Sequence, residues 1–496
     1  MVKSGIPPGK CSYTQFYMEE TDMHIDYNKL DARVAELKDE LIADIRAWVA
    51  VPSVQGEPVE GKPFGENVAK ALDVALETAR KYGFETRNVD YYAGDISMGS
   101  GEQTLGMLAH LDIVPVGEGW THDPFAGEIE DGKIFGRGTI DDKGPALCAL
   151  YAMRAVRDCG IPLKDGVRLI LGCDEETGMT DMRYYASKYK MPDYGFSPDA
   201  EFPVINIEKG GVNVELIHHG EDEDAAEIPV YELYAGERPN VVPAYARAVV
   251  GTQNISAADL AEKIAAHAAA VNQKLHVKDL GNGRAEISAE GVLSHGSLPE
   301  LGVNAASVLL IALKALNAGG GLKPALDMMV NCIGMEPDGA SLNIKREDEL
   351  SHNLSCNLGI LRWDGKDFCA TLDIRYPLCT NEVEIMGNIA TTVAKYGAAV
   401  RQTSGHTPHH VPADHKIVRG LMKVYNELTG DDSKPLAIGG GTYSRMMPNT
   451  VAFGVVFPGE EDCCHIADEY ICIESMMKAT RIYAHAIAEL ASGNIE

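Results

Sequence analysis

Basic residues are scarce in this chain: 44 Lys and Arg face 73 Asp and Glu, a net charge of −29 over 496 residues. Nucleic acids and anionic membrane surfaces need a basic face, so both are excluded as partners. Long apolar runs are also missing. The best candidate, Val308 to Leu313, is closed by Lys314, far short of the ~18 residues of a membrane span. The first residues carry Glu19, Glu20 and Asp22 and no apolar segment of the kind that heads a secretory signal. Eleven cysteines, an odd number in a long chain, argue against a disulfide framework and read as reduced cytoplasmic thiols. There is no repeat at a fixed short period. What remains is 45% hydrophobic and 24% charged, an ordinary globular composition, in a chain too long for one core. Those features predict an acidic, soluble, cytoplasmic protein of two or more domains.

Residues 1–22 show no periodicity and predict a poorly ordered arm. Leu30, Val34, Leu37, Leu41 and Ile45 then recur at helical spacing from Tyr27. A second helix runs from about Glu66 and is closed by Gly83. An apolar strand from Thr104 to Val114, a helix from Lys143 to Cys159 and a strand from Gly166 to Cys173 follow. This alternation predicts an α/β domain with a mostly parallel sheet covered by helices, whose ligands gather at the carboxyl ends of strands. Near Gly210 the character changes to an acidic loop (Glu221 to Asp224), strands such as Tyr245 to Gly251, and helices at Ser256 to Leu275 and Asn304 to Leu316. From Ile417 the helix–strand–helix pattern returns. The plan expected is a discontinuous catalytic domain (residues 23–210 and 409–496) interrupted by an inserted α+β lid domain (residues 211–408).

Five places carry chemistry. His110 and Asp112 end an apolar strand at i, i+2 spacing, which puts both on one face; Asp112 then orients one ring nitrogen and frees the other for a metal, or both simply face solvent. Asp141 and Asp142 open a helix after a glycine-bounded loop. One can cap it and the other bridge cations, and local grounds leave both readings open. Asp174, Glu175 and Glu176 stand together after a wholly apolar strand; adjacent acids repel, so a cation is the natural compensation, although a solvated loop is the commoner fate. Asp199 sits between Pro198 and Pro203, where turn chemistry explains it equally well, and His465, after Cys463 and Cys464, is as a lone histidine more often a surface or satisfied residue than a ligand. The two cysteines read as small buried hydrophobes rather than ligands. Together the histidines and carboxylates make a mixed N/O donor set that suits Zn, Mn or Co.

The ordered motifs HLD, GRGTIDDKGP, CDEETG, SPDAEFP and CHIADE resemble the dinuclear-metal peptidase family of carnosinases, glutamate carboxypeptidases and acetylornithine deacetylase. SPDAEFPVINIEKG, SHGSLPELGVNA, LDIRYP and GGGTYSR further resemble its bacterial PepV-type dipeptidases. The resemblance runs from about Tyr27 to the C-terminus and implies a zinc-peptidase-like fold with two divalent ions per chain, Zn first and Mn or Co as alternatives. It implies His110 and Asp199 on one ion, Glu176 and His465 on the other, and Asp141 bridging. Glu175 would be the general base to a metal-bound hydroxide, Asp112 the partner of His110, and His295 an oxyanion donor. Asn240, Arg375 and the loop Gly439, Gly440, Gly441 would hold a small peptide. Cys463, Cys464, His409 and His410 depart from the pattern. The activity implied is hydrolysis of unblocked dipeptides; the alternatives are an N-acyl-amino-acid deacylase of the same family and a catalytically silent binding homologue. Family members that dimerise borrow the lid histidine from a partner. Here the ~200-residue insertion is long enough for two lid modules, so a monomer is expected.

Overall fold

The structure, a computed structural model, describes residues 1, 25–220 and 226–495. Apart from Met1, the arm expected over residues 1–22 and the acidic loop Glu221 to Asp224 lie outside the described residues. Two sheets organise the rest. The first runs Glu85–Val89, Ala93–Met98, Gly166–Gly172, Thr104–His110, Tyr194–Ser197, Thr450–Phe453, Val204–Glu208, His409–His410, with Leu436–Ile438 branching from Val204–Glu208. Its four central strands, Gly166–Gly172 to Thr450–Phe453, are mutually parallel, and the pairing turns antiparallel on both flanks. The register sets His110 beside Gly172 and Met107 beside Phe196. Asp112, Glu175, Glu176 and Asp199 therefore leave the sheet at one edge.

Burial explains why these strands read as continuous apolar runs. Leu105, Met107, Leu108 and Ala109 are fully buried, as expected of a sheet covered on both faces. The helix Lys143–Asp158 is buried on every side through Val156 and packs against the C-terminal helix Ile473–Ala491. The first predicted helix is instead two, Tyr27–Glu36 and Lys38–Val49, jointed at Leu37. The expected strand Thr104 to Val114 stops at His110, because Leu111 donates to the Gly172 carbonyl and Ile113 to that of Ser53. The helix predicted to reach Leu275 ends at Val271, where Asn272 turns left-handed and a strand begins at Lys274.

The second sheet has eight strands, all antiparallel, spanning residues 210–406. Alternating burial along Arg284–Glu290 shows one face turned to a separate core, which includes residues of the helices Ala257–Val271, Ala305–Ala315, Lys323–Cys332 and Glu382–Val393. The chain crosses between sheets twice, at Lys209 and at Thr407–Pro408, and the two crossings pair as one ribbon: His409 with Glu208 on one side, His406 with Gly211 on the other. Gly210 and Gly211 allow this, since a Cβ on either would overlap the ring of Tyr376 or His406.

Gly454 ends the strand Thr450–Phe453 at φ +68°, and an added Cβ would fall against the Phe202 ring. That contact braces the loop from Pro198 to Pro203. Gly430 has a similar φ of +80° with open space around it. Gly430→Ala should cost only the left-handed penalty, about 1 kcal/mol. Gly454→Ala adds overpacking of about 1–3 kcal/mol and should lower the melting temperature clearly more, as scanning calorimetry would show.

Candidate metal centre

The site is built where strand ends meet helix starts. His110 closes its strand with its Nδ1 2.9 Å from the backbone oxygen of Asp112 and 3.5 Å from its carboxylate. This modifies the expected orienting pair: the carbonyl makes the close contact, because the chain has left the strand before Asp112. The Asp112 carboxylate instead accepts the N–H groups of Glu175 (3.2 Å) and Glu176 (3.1 Å). Asp142 begins the helix Lys143–Asp158 without capping it through its side chain. It accepts the His110 N–H at 3.1 Å, and burial, with Asp199 next, pushes its carboxyl well above the ordinary range.

Asp141 lies between two imidazoles. Its Oδ1 is 2.9 Å from His110 Nε2 and its Oδ2 is 2.8 Å from His465 Nε2. Asp199 stands 3.7 Å from His110 Nε2, and Glu176 3.2 Å from His465 Nε2. Two donor groups result, His110–Asp141–Asp199 and Asp141–Glu176–His465, each with its ligating atoms within 4.8 Å of one another. They share Asp141, which offers one oxygen to each.

These residues fit a pair of divalent ions. The buried His110 Nε2 makes no well-aligned hydrogen bond, even to the Asp141 oxygen 2.9 Å away, so a ligand can take the place of its proton. Asp141 and Glu176 raise the His465 imidazole to about 11. His110 is raised by Asp112 and Asp141 against its burial. Burial, then Asp141, pushes Asp199 up to about 7. Burial likewise raises Glu175 well above the ordinary carboxylate range. Acids crowded in this way demand positive charge, and their N/O donors suit Zn, Mn or Co. Cys463 and Cys464 belong to neither group; the Cys463 thiol is engaged with the backbone of Tyr470. His409 contacts the Thr450 carbonyl at 2.6 Å, and His410 sits exposed in the edge strand His409–His410.

The lid residues gather where the two sheets' domains face each other. His295 Nδ1 lies 2.7 Å from the Ser297 hydroxyl and 3.2 Å from the Ser297 backbone nitrogen. Burial and then Arg375 lower its pKa, which favours the neutral ring. The charges of Asp462 and His465 also act on it. Asn240 accepts the Gly296 N–H through its carbonyl at 2.7 Å. Arg375 is already engaged: Asp373, two residues back on the same strand face, accepts from its Nε and Nη2 at 2.9 and 3.1 Å, while Nη1 donates to the Gly439 carbonyl at 3.2 Å. Gly439 packs so closely that a Cβ would meet Ser297, and one on Gly441 would overlap the Arg445 guanidinium. Gly440 is looser, with only Ile438 nearby.

Several supporting residues escaped sequence reasoning. Buried Glu469 accepts from Gly138 (2.9 Å), Ile140 (3.1 Å) and Asp141 (3.4 Å) and pairs with buried Arg137 at 2.6 Å. Glu208 accepts twice from Arg445 (3.0 and 2.9 Å) and from Thr442. The available signal was adjacency: Glu469 follows His465 by four residues, and Arg137 precedes Asp141 by four.

Known proteins resemble this chain in sequence and in fold. A family model described as peptidase family M20/M25/M40 matches residues 106–489. "Putative dipeptidase YtjP" of Bacillus subtilis is 37% identical over 466 residues, covering 93% of this chain and 99% of the relative. "Putative dipeptidase SH1171" of Staphylococcus haemolyticus is 33% identical, covering 92% and 98%. Among solved structures, human carnosine dipeptidase 1 is similar in fold at TM-score 0.57 and 15% identity, over 94% of this chain and 99% of the other. Dug1p from Saccharomyces cerevisiae matches at 0.57 and 11% identity, covering 94% and 98%.

Because Asp141 serves both donor groups, Asp141→Ala should lose bound metal and turnover together. Elemental analysis beside an activity assay checks this; two ions per chain with near-normal turnover would refute the shared-ligand arrangement.

Proposed function

The chain belongs to peptidase family M20/M25/M40, and on that premise we propose that it is a dipeptidase cleaving short unblocked peptides at a dinuclear metal centre. The observation that carries this reading is Asp141 reaching one histidine with each oxygen, beside a half-buried glutamate free to move a proton. His110 and Asp199 would hold one ion, Glu176 and His465 the other, with Asp141 between them and Zn preferred over Mn or Co. When bound, such ions supply Lewis acidity, lowering the pKa of water, polarising the scissile carbonyl and offsetting negative charge.

The chain's own groups do the rest. Glu175 takes a proton from the attacking water and returns it to the leaving amine; burial raises its pKa above the ordinary carboxylate range. No hydrogen bond to its carboxylate is present among the described residues, and its backbone is held by Asp112. His295 donates where the tetrahedral oxyanion develops. The substrate amine faces the carboxylates of Asp199 and Glu176. Its terminal carboxylate meets Asn240, the Gly439 loop and Arg375, whose plane Asp373 fixes. A clamp at both ends measures length, since a third residue displaces the carboxylate by up to ~3.5 Å.

The lid serves its own chain in this reading, because the insertion, roughly 200 residues, is long enough for two lid modules. The active unit is then a monomer. Ten free cysteines among the described residues accord with a reducing, cytoplasmic setting.

Glu175→Gln should retain metal yet lose at least ~100-fold in turnover. On a substrate panel, dipeptides should exceed tripeptides, dipeptide amides and N-acetyl amino acids in kcat/KM. Preference for N-acetyl amino acids would make the protein a deacylase, and wild-type turnover in Glu175→Gln would remove the base. Mixing His295→Ala with Glu175→Gln protein should restore no activity; complementation would show a lid histidine shared between chains.

A further inference from the structure

The turn from Cys173 to Glu176 bears both the proposed base and a proposed ligand, and two buried carboxylates take all four of its amide N–H groups. Asp181 Oδ2 accepts from Cys173 (2.6 Å) and Asp174 (3.0 Å); Asp112 accepts from Glu175 and Glu176. Asp181 is fully buried, and its other oxygen accepts the Met182 N–H at 2.6 Å. The Tyr443 hydroxyl also donates to Asp181 Oδ2. A Cβ on Gly172 would overlap both that hydroxyl and that carboxylate, so the strand end is shaped around their contact.

Tyr443 is itself buried and stands edge-on to the His110 ring, with centroids 6.2 Å apart at 88°. It packs among Val89, Leu108, Ile170 and Met447, a role a phenylalanine would fill; the hydroxyl is what reaches Asp181. In sequence it follows Gly439 to Thr442, the segment whose Gly439 carbonyl accepts from Arg375 and whose Thr442 binds Glu208. One hydrogen bond thus links the segment at the substrate's carboxylate end to the turn that presents the base.

We propose that Asp181 and Tyr443 are positioning residues for Glu175, aligning the 173–176 turn with the Gly439 segment so that base and substrate share one rigid frame. This rests on Glu175 being the base of the dipeptidase reading. A carboxylate costs free energy to bury unless its hydrogen bonds are satisfied, and Asp181 spends its acceptors on the turn and on Tyr443. Misplacement of a reacting group by about 1 Å can cost ~100-fold, so loosening this frame should appear in turnover rather than in binding.

Tyr443→Phe should keep the wild-type metal content by elemental analysis, hold KM for a dipeptide within about twofold, and lower kcat about tenfold. The same substitution in Glu175→Gln protein, followed at high enzyme concentration, should change the residual turnover by less than about twofold, because no base remains to be aligned. Asp181→Asn should repeat the pattern with a larger loss; if it fails to fold, Tyr443→Phe, which keeps the ring packing, decides alone. Wild-type kcat in Tyr443→Phe, or an equal fold-loss in both backgrounds, would overturn the inference. Wild-type turnover in Glu175→Gln itself would instead remove the base assignment, and this inference with it.

Discussion

Five acids, Asp141, Asp142, Glu175, Glu176 and Asp199, converge at one sheet edge and are largely withdrawn from water. At an effective dielectric of ~20, two like charges ~4 Å apart repel by about 4 kcal/mol, so this group cannot all ionise without cations among them. The surrounding structure answers that repulsion. Two imidazoles flank Asp141, and burial pushes Asp142 and Glu175 toward their neutral forms. Backbone amides are aimed at the carboxylates behind them. Buried Asp112, Asp181 and Glu469 hold the main chain of the turns that carry these acids, which keeps the acids close against their mutual repulsion.

The second constraint is the meeting of the two domains. Among the described residues the chain crosses between the sheets twice, and the crossings pair as a ribbon, so a few side chains govern how the lid addresses the centre. Glu208, at the end of one crossing strand, grips Arg445 and Thr442. Arg375, in the lid sheet, reaches the Gly439 carbonyl. Both arginines are balanced by acids, Asp373 and Glu208, which fixes their planes while leaving part of each guanidinium unclaimed. Glycine enters for steric reasons: at positions 439 and 441 a side chain would collide with Ser297 or Arg445.

Much of this could be read along the chain. Apolar runs ending in His110, or in Asp174 to Glu176, announced strands whose ends carry function, because a strand buried on both faces leaves its carboxyl end as the place for polar groups. The helices at Glu66–Lys81 and Lys143–Asp158 were legible for similar reasons. Less legible were Asp181, Glu208 and Glu469, acids in ordinary polar surroundings with partners as far as 262, 237 and 332 residues away. The roles of Asp112 and Arg375 were harder still, since each was recognised as polar and well placed but its partners depended on where the chain turned.

Residue order alone determined the acidity of the protein, the alternation of strand and helix, the change of character at Gly210, and which histidines and carboxylates stand at strand ends. Those properties are local: they follow from hydrophobic period, from turn residues and from charge. Tertiary structure alone decided that Asp141 faces two histidines with its two oxygens, that Asp142 holds the His110 backbone instead of capping its helix, and that Asp373 occupies Arg375. It also decided which buried acids support the turns. Each of these depends on a distance across the fold, and a hydrogen bond or an ion pair forms only where folding has brought donor and acceptor within about 3 Å.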